Sequence, residues 1–203
     1  MSMDADLDLL ARRRLETTSQ IHRAALDLFE AQGLRETTVQ QIAQRAGISS
    51  RTFFRYFPVK EGAAFPVQGR LLASLGAVAL DADASDLGAV LSAFADALDS
   101  AIQDAGDPDR HEHRRIAQLL AREPELETYV GAQDAEISAA VRARIGEARP
   151  DVDGLDAQVV GAVVAALWRV TWDRWGAEAL AERAGEPVDV FRDARAAFSR
   201  TLG

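Results

Sequence analysis

Ser50, Arg51, Thr52 and Arg55 bring hydroxyl and guanidinium groups together at the start of a short segment, SSRTFFRYF, that then turns aromatic. Short hydroxyls allow close approach, and an arginine can grip guanine O6 and N7 with two bonds, so this set suits hydrogen bonding in a DNA major groove. Covalent chemistry finds no comparable set. His22 is remote in sequence from His111 and His113, and those two, two residues apart, do not share a helix face. The group His111, Glu112, His113 lacks thiolate support and diagnostic ligand spacing, so it reads as solvated side chains beside Arg110, Arg114 and Arg115, and no metal is expected. Asp81, Asp83 and Asp86 read as a hydrated loop rather than a general-acid site. No glycine-rich loop runs into Lys and Ser or Thr. Neither catalysis nor a cofactor is expected.

The elements that must hold these side chains can be read between Thr37 and Lys60. Thr37 with Gln40 fits the capping box of a first helix, whose Val39, Ile42, Ala43 and Ala46 share a face. Gly47 suits the helix end, Ile48 plugs the small core beneath, and Ser49 caps a second helix that turns Phe53 and Phe57 inward. Ahead of them Ile21, Ala24, Ala25, Leu28 and Phe29 predict a helix from Thr17 or Thr18 to Gly33. The three share a core of Ile21, Leu28, Phe29, Leu34, Val39, Ile42 and Phe53. Residues 1–11 are acidic and expected to be loose. Arg12, Arg13 and Arg14 follow as the densest basic run, either an arm that enters a minor groove or lies along phosphate, or a plain solvated helix start.

Charge separates this head from the rest. The chain of 203 residues has a formal net charge of -9, but residues 12–60 carry nine Arg or Lys against four acids, leaving fourteen against twenty-eight elsewhere. Affinity for phosphate follows local charge, so a basic head on an acidic body remains compatible with nucleic acid. An apolar share of 48% with 27% charged residues is that of a folded chain, and no run of eighteen uncharged apolar residues marks a membrane span. With no cysteine, disulfides and thiolate chemistry are excluded. A cytoplasmic protein without a leader is expected.

The body reads as all-α. A fourth helix is expected from Pro58 through Phe65, Leu71, Leu72 and Leu75 to about Leu80, with Pro66 as a bend or break. Stripes at Leu87 to Leu98, Ile116 to Leu120, Leu126 to Ile145, Leu155 to Trp175 and Pro187 to Phe198 give the remaining helices. The expected domains are 12–60 and 61–203. Trp168, Trp172 and Trp175 share a helix face with Gly161 and Val164, either as core or subunit-interface anchors or as the lining of a pocket. Gly161 and Ala165 permit close approach and favour a seam between two copies, with Phe191 and Phe198 of the last helix. Phe65, Leu72, Phe94, Leu98 and Tyr129 are the candidate lining of a ligand cavity.

From Ile21 to Lys60, through Ala24, Ala25, Leu28, Phe29, Gly33, Thr37, Thr38, Val39, Ile42, Ala43, Ala46, Gly47, Ile48, Ser49, Phe53, Tyr56 and Phe57, the chain resembles the DNA-binding head of the tetracycline-repressor family of bacterial transcription regulators. The spacing holds through three helices and into a fourth. The resemblance implies a homodimer on a near-palindromic operator, a helical body that takes a small molecule, and usually repression. It implies base or flanking contacts by Ser50, Arg51, Thr52 and Arg55, and phosphate contacts by Thr37, Thr38, Tyr56 and Lys60. One position departs: Phe54 is often tyrosine there, with its hydroxyl on a phosphate, a bond phenylalanine cannot make. The variant RTFFRYFP is similar to a subset that includes regulators of redox-cofactor and lipid genes. Two other readings stand beside this one, a helical protein-interaction module whose head no longer reads DNA and a small helical enzyme using a body cavity.

Overall fold

α1 (Met3–Glu36), α2 (Val39–Arg45) and α3 (Ser50–Tyr56) open a chain in which every regular element among the described residues is helical. The computed structural model describes residues 3–65, 69–81, 86–103 and 107–201, the side chains of 3–12, 69–70 and 107–109 excepted. Helix begins at Met3 rather than near Thr17, so the expected loose start gives way to a stretch rich in Ala, Leu and Arg, all good helix formers. α1 breaks at Gly33, whose φ of 81° is open to glycine at no steric cost.

The chain divides into two compact units. The first comprises residues 3–65 with Leu119–Tyr129. Its core holds Ile21, Leu26, Ile42 and Phe53 without exposure, joined by Ala63, Ala64 and Phe65 around the 3-10 turn Glu61–Ala64 and by Leu126 of a second such turn, Pro124–Leu126. Leu28 and Val39 are only half-buried. His22 is a buried structural group, its Nδ1–H donating to Ala63 O at 2.8 Å. The helix expected from Pro58 starts later, as the turn at Glu61–Ala64, and is broken at Phe65, one residue before the Pro66 break allowed for, with α4 (Gly69–Gly76) following separately. Phe65 leaves the helical region (φ −132°, ψ 54°), as the residue before a proline is driven to do.

The second unit contains α4, α5 (Leu87–Gln103), the first part of α6 (Asp107–Arg122), most of α7 (Glu127–Ala148), α8 (Gly154–Leu180) and α9 (Pro187–Thr201). α8 is its spine, burying Val160, Val164, Leu167 and all three tryptophans against Phe94, Leu98, Ile137 and Phe191. Close helix approach depends on two glycines of α8. A Cβ on Gly161 would stand 2.8 Å from Ser138 O on α7, and one on Gly176 would stand 2.8 Å from Ala117 Cβ on α6. Arg192 and Arg195 of α9 pair with Asp99 and Asp96 of α5. α8 is the one described helix long and apolar enough to cross a bilayer, and 44% of that window is buried in the chain's own fold.

Candidate nucleic-acid interface

The turn that aims α3 is fixed by backbone bonds. At the end of α2, Gly47 N–H reaches Gln44 O and Ile48 N–H reaches Ala43 O, a Schellman closure in which Gly47 takes φ 70°. The start of α2 differs from expectation. Thr38 is the cap: its Oγ1 accepts from Gln41 N–H at 3.2 Å, and Gln41 Oε1 accepts from Thr38 N–H at 2.8 Å. Thr37 with Gln40 satisfies the same spacing rule one residue earlier. Thr37 is nevertheless fully buried, with its hydroxyl donating to Gly33 O at 2.8 Å, which withdraws it from the phosphate-contact set. Thr38 stays exposed. Arg45, paired with Asp27 at 2.7 Å, ties α2 back to α1.

α3 turns Phe53 into the core and leaves Arg51, Phe54 and Arg55 exposed as its outward face. Ser50 and Thr52 are half-buried. Thr52 serves the cap first, its N–H donating to Ser49 Oγ at 3.0 Å and its hydroxyl 2.9 Å from the same atom. The Arg55 guanidinium lies 5.4 Å from the Tyr56 ring centroid, within cation–π range. The Thr17 hydroxyl beside Tyr56, helped by Arg55 and by the charge of Arg14, holds the Tyr56 phenol below its ordinary pKa despite some burial. Thr17 thus joins the site without having been legible as part of it. Arg13 and Arg14 are exposed on α1, so the basic run is a helix surface rather than a free arm. The Arg12 side chain lies outside the described residues.

Lys60 is engaged within the unit. Its Nζ donates to Leu34 O and Thr37 O, each at 2.7 Å, closing the carbonyls at the end of α1 and leaving one N–H direction for any phosphate. Its geometry is that of a clamp on the loop before α2.

In the second unit the expected seam and pocket residues are redistributed. Gly161, Ala165, Trp168, Trp172, Trp175 and Phe191 are buried inside the single chain, and Phe198 packs partly against the same core. On α8, Gly161 meets Ser138 of α7 and Trp172 meets His113 of α6. His113 stacks on Trp172 with ring centroids 3.5 Å apart and planes 14° from parallel, and the three indoles meet edge to face. Trp175 Nε1 donates to Gly185 O at 2.9 Å, while Trp172 Nε1 is buried without an acceptor among the described residues. Of the expected cavity, Phe94 and Leu98 are fully buried core, Leu72 packs partly against it, and Phe65 and Tyr129 belong to the first unit. A cleft of about 600 Å³ lies instead beside the α8–α9 connection, lined by Arg110, His111, Arg114, Trp175, Glu186 and Asp189.

Comparison with known proteins agrees with the head. The family described as bacterial regulatory proteins, tetR family, matches residues 21–62. The HTH-type transcriptional regulator TcmR of Streptomyces glaucescens is 34% identical over 174 residues, spanning 82% of this chain and 76% of TcmR. MftR of Mycobacterium tuberculosis, a regulator whose name ties it to mycofactocin biosynthesis, is 31% identical over 123 residues, 59% of each protein. Among solved structures, NalD of Pseudomonas aeruginosa, the secondary repressor of the MexAB-OprM multidrug efflux pump, aligns at 18% identity and a TM-score of 0.43 over 91% of this chain and 96% of NalD.

Proposed function

The chain belongs to the tetR family of bacterial regulatory proteins, and we propose that within it this chain is a homodimeric, sequence-specific repressor released from its operator by a small molecule. The observation that carries the reading is the outward face of α3. Arg51 and Arg55 stand exposed on a helix whose inner side, cap and preceding turn are all committed to holding it in place. Arg51 reads a base edge, Arg55 and Arg14 supply charge towards phosphates, and Thr38 and Tyr56 flank them with hydroxyls.

Two copies join through the side of α8 opposite the tryptophans. Leu155, Val159, Ala162, Ala166, Val170 and Leu180 recur there at helical spacing, with Leu155, Val159, Val170 and Leu180 among the exposed large apolar residues. The two heads then present α3 to successive major grooves of a near-palindromic site, and occupancy of a promoter blocks transcription. An effector is received in the second unit, for which the cleft at Arg110, Arg114 and Trp175 is the described opening. The protein acts in the cytoplasm.

The test is selection of bound duplexes from a random pool, followed by the salt dependence of the winner. Enrichment of a two-fold symmetric sequence is expected, with half-site centres a whole number of helical turns apart and a steep loss of affinity with salt. No enrichment at any salt concentration would sink the reading.

A further inference from the structure

Phe54 is the most exposed large apolar side chain described in the first unit, at 56%. The inner face of α3 is already filled by Phe53, so this outward ring adds nothing to the core. It is nonetheless well held. Phe53 meets it edge-on at 5.7 Å with planes at 90°, and Arg51 and Arg55 are exposed on the same short helix. A ring with two side-chain torsions, steadied in this way, loses little freedom on docking. The major groove offers one apolar feature for such a ring, the C5-methyl group of thymine.

We propose that Phe54 is a specificity residue of this head, its ring on the outward side of α3 that also carries Arg51 packing on the 5-methyl group of an operator thymine. The inference rests on the DNA-reading function above. Phe54 and Arg51 are three residues apart, a rise of about 4.5 Å along the helix against about 3.4 Å between stacked base pairs. The thymine therefore sits within one or two base pairs of the base that Arg51 reads. The operator preference is then set partly by an apolar contact, which salt does not weaken as it weakens the arginine contacts.

The experiment uses the full-length protein and the duplex enriched from the random pool. Each symmetric pair of thymines is replaced by deoxyuridine, which removes the methyl groups and leaves base pairing intact. For the wild-type protein one pair is expected to lower affinity about fourfold per half-site, roughly fifteenfold for the pair, as burial of a methyl-sized group predicts. Phe54→Ala is expected to bind the unmodified duplex with that same loss and to be indifferent to the deoxyuridine change. Phe54→Leu, which keeps an apolar group, should retain part of the sensitivity. Circular dichroism and the thermal midpoint confirm that both variants fold, and the wild-type response to deoxyuridine depends on no variant. If wild-type affinity is the same with and without every methyl pair, or if Phe54→Ala responds to deoxyuridine as the wild type does, the assignment is overturned while the DNA reader stands. If the pool yields no preferred duplex, the reader fails and the inference with it.

Discussion

Lys60 Nζ donates to the main-chain oxygen of Thr37 at 2.7 Å, and the same ammonium reaches Leu34 O at an equal distance. These bonds span the break between α1 and α2 and fix the loop from which α2 starts. Charge-assisted bonds of this kind contribute more than neutral ones, so Lys60→Met is expected to lower folding stability by about 2 kcal/mol, read as a shift of the urea midpoint. Affinity should fall on all DNA because the head is loosened. An unshifted midpoint with a salt slope reduced by about 0.9 would restore Lys60 to the role of a simple phosphate contact.

Arg51→Ala is expected to weaken operator binding by about 1–3 kcal/mol more than it weakens binding to random duplex, the discrimination carried by one bidentate base contact. Arg14→Ala, on the α1 surface near Tyr56, should weaken both duplexes alike and flatten the salt dependence. Titration of each variant on the two duplexes at several salt concentrations separates the roles. Equal losses for Arg51→Ala on both would remove it from the reading face.

How much of this could be seen in the sequence varies from residue to residue. The inward Phe53, the cap Ser49 and the positive φ of Gly47 follow from spacing and turn chemistry, and each is present. Sequence spacing puts the cap of α2 at Thr37, one residue early, because Thr37–Gln40 meets the same rule as Thr38–Gln41. Only the burial of Thr37 under its bond to Gly33 decides between them. The faces of α8 were illegible for a different reason. Leu155, Val159 and Val170 make its outer side nearly as apolar as the tryptophan side, so periodicity cannot say which faces inward. Gly161 and Gly176 do say so, once Ser138 and Ala117 are seen against them.

That packing gives Gly161→Ala a definite cost. The added methyl would stand 2.7 Å from Ser138 Oγ and 2.8 Å from its carbonyl oxygen, and a backbone atom cannot rotate away. A loss of about 1–3 kcal/mol is expected from the forced separation of α7 and α8. Chemical denaturation at a single protein concentration measures it. A variant as stable as the wild type would mean that the two helices slide apart freely.

The Asp99 carboxylate accepts from Arg192 Nε at 3.0 Å and from Nη2 at 3.1 Å, joining α5 to α9. That pairing, opposed by partial burial, holds its pKa below the ordinary carboxylate value of 3.8. A folded-state pKa lower than the unfolded one means that the stabilisation is complete above the unfolded value and disappears as pH falls through the folded one. Asp99→Asn should therefore be less stable than the wild type near neutral pH, and the difference should close in acid below about pH 4. Urea midpoints across that range test the sign. A gap that widens on acidification would contradict it.

The outer side of α8 supplies the last expectation. Val159 is 53% exposed, with Leu155 at 67% and Val170 at 46% on the same stripe, while the tryptophans opposite are spent on the chain's own core. If that stripe is where two copies meet, a carboxylate within it must be desolvated without a partner, which costs more than a seam of this kind can offset. Val159→Asp should halve the mass seen by sedimentation and leave tryptophan fluorescence unchanged, because Trp168, Trp172 and Trp175 face the other way. A monomer carries one α3 into one half-site, so affinity for the symmetric operator should collapse to that of an isolated half-site. An unchanged mass would move the seam off α8. A shifted tryptophan spectrum would show that the charge had disturbed the fold rather than the pairing, and Leu155→Asp, nearer the helix end, would then decide the point.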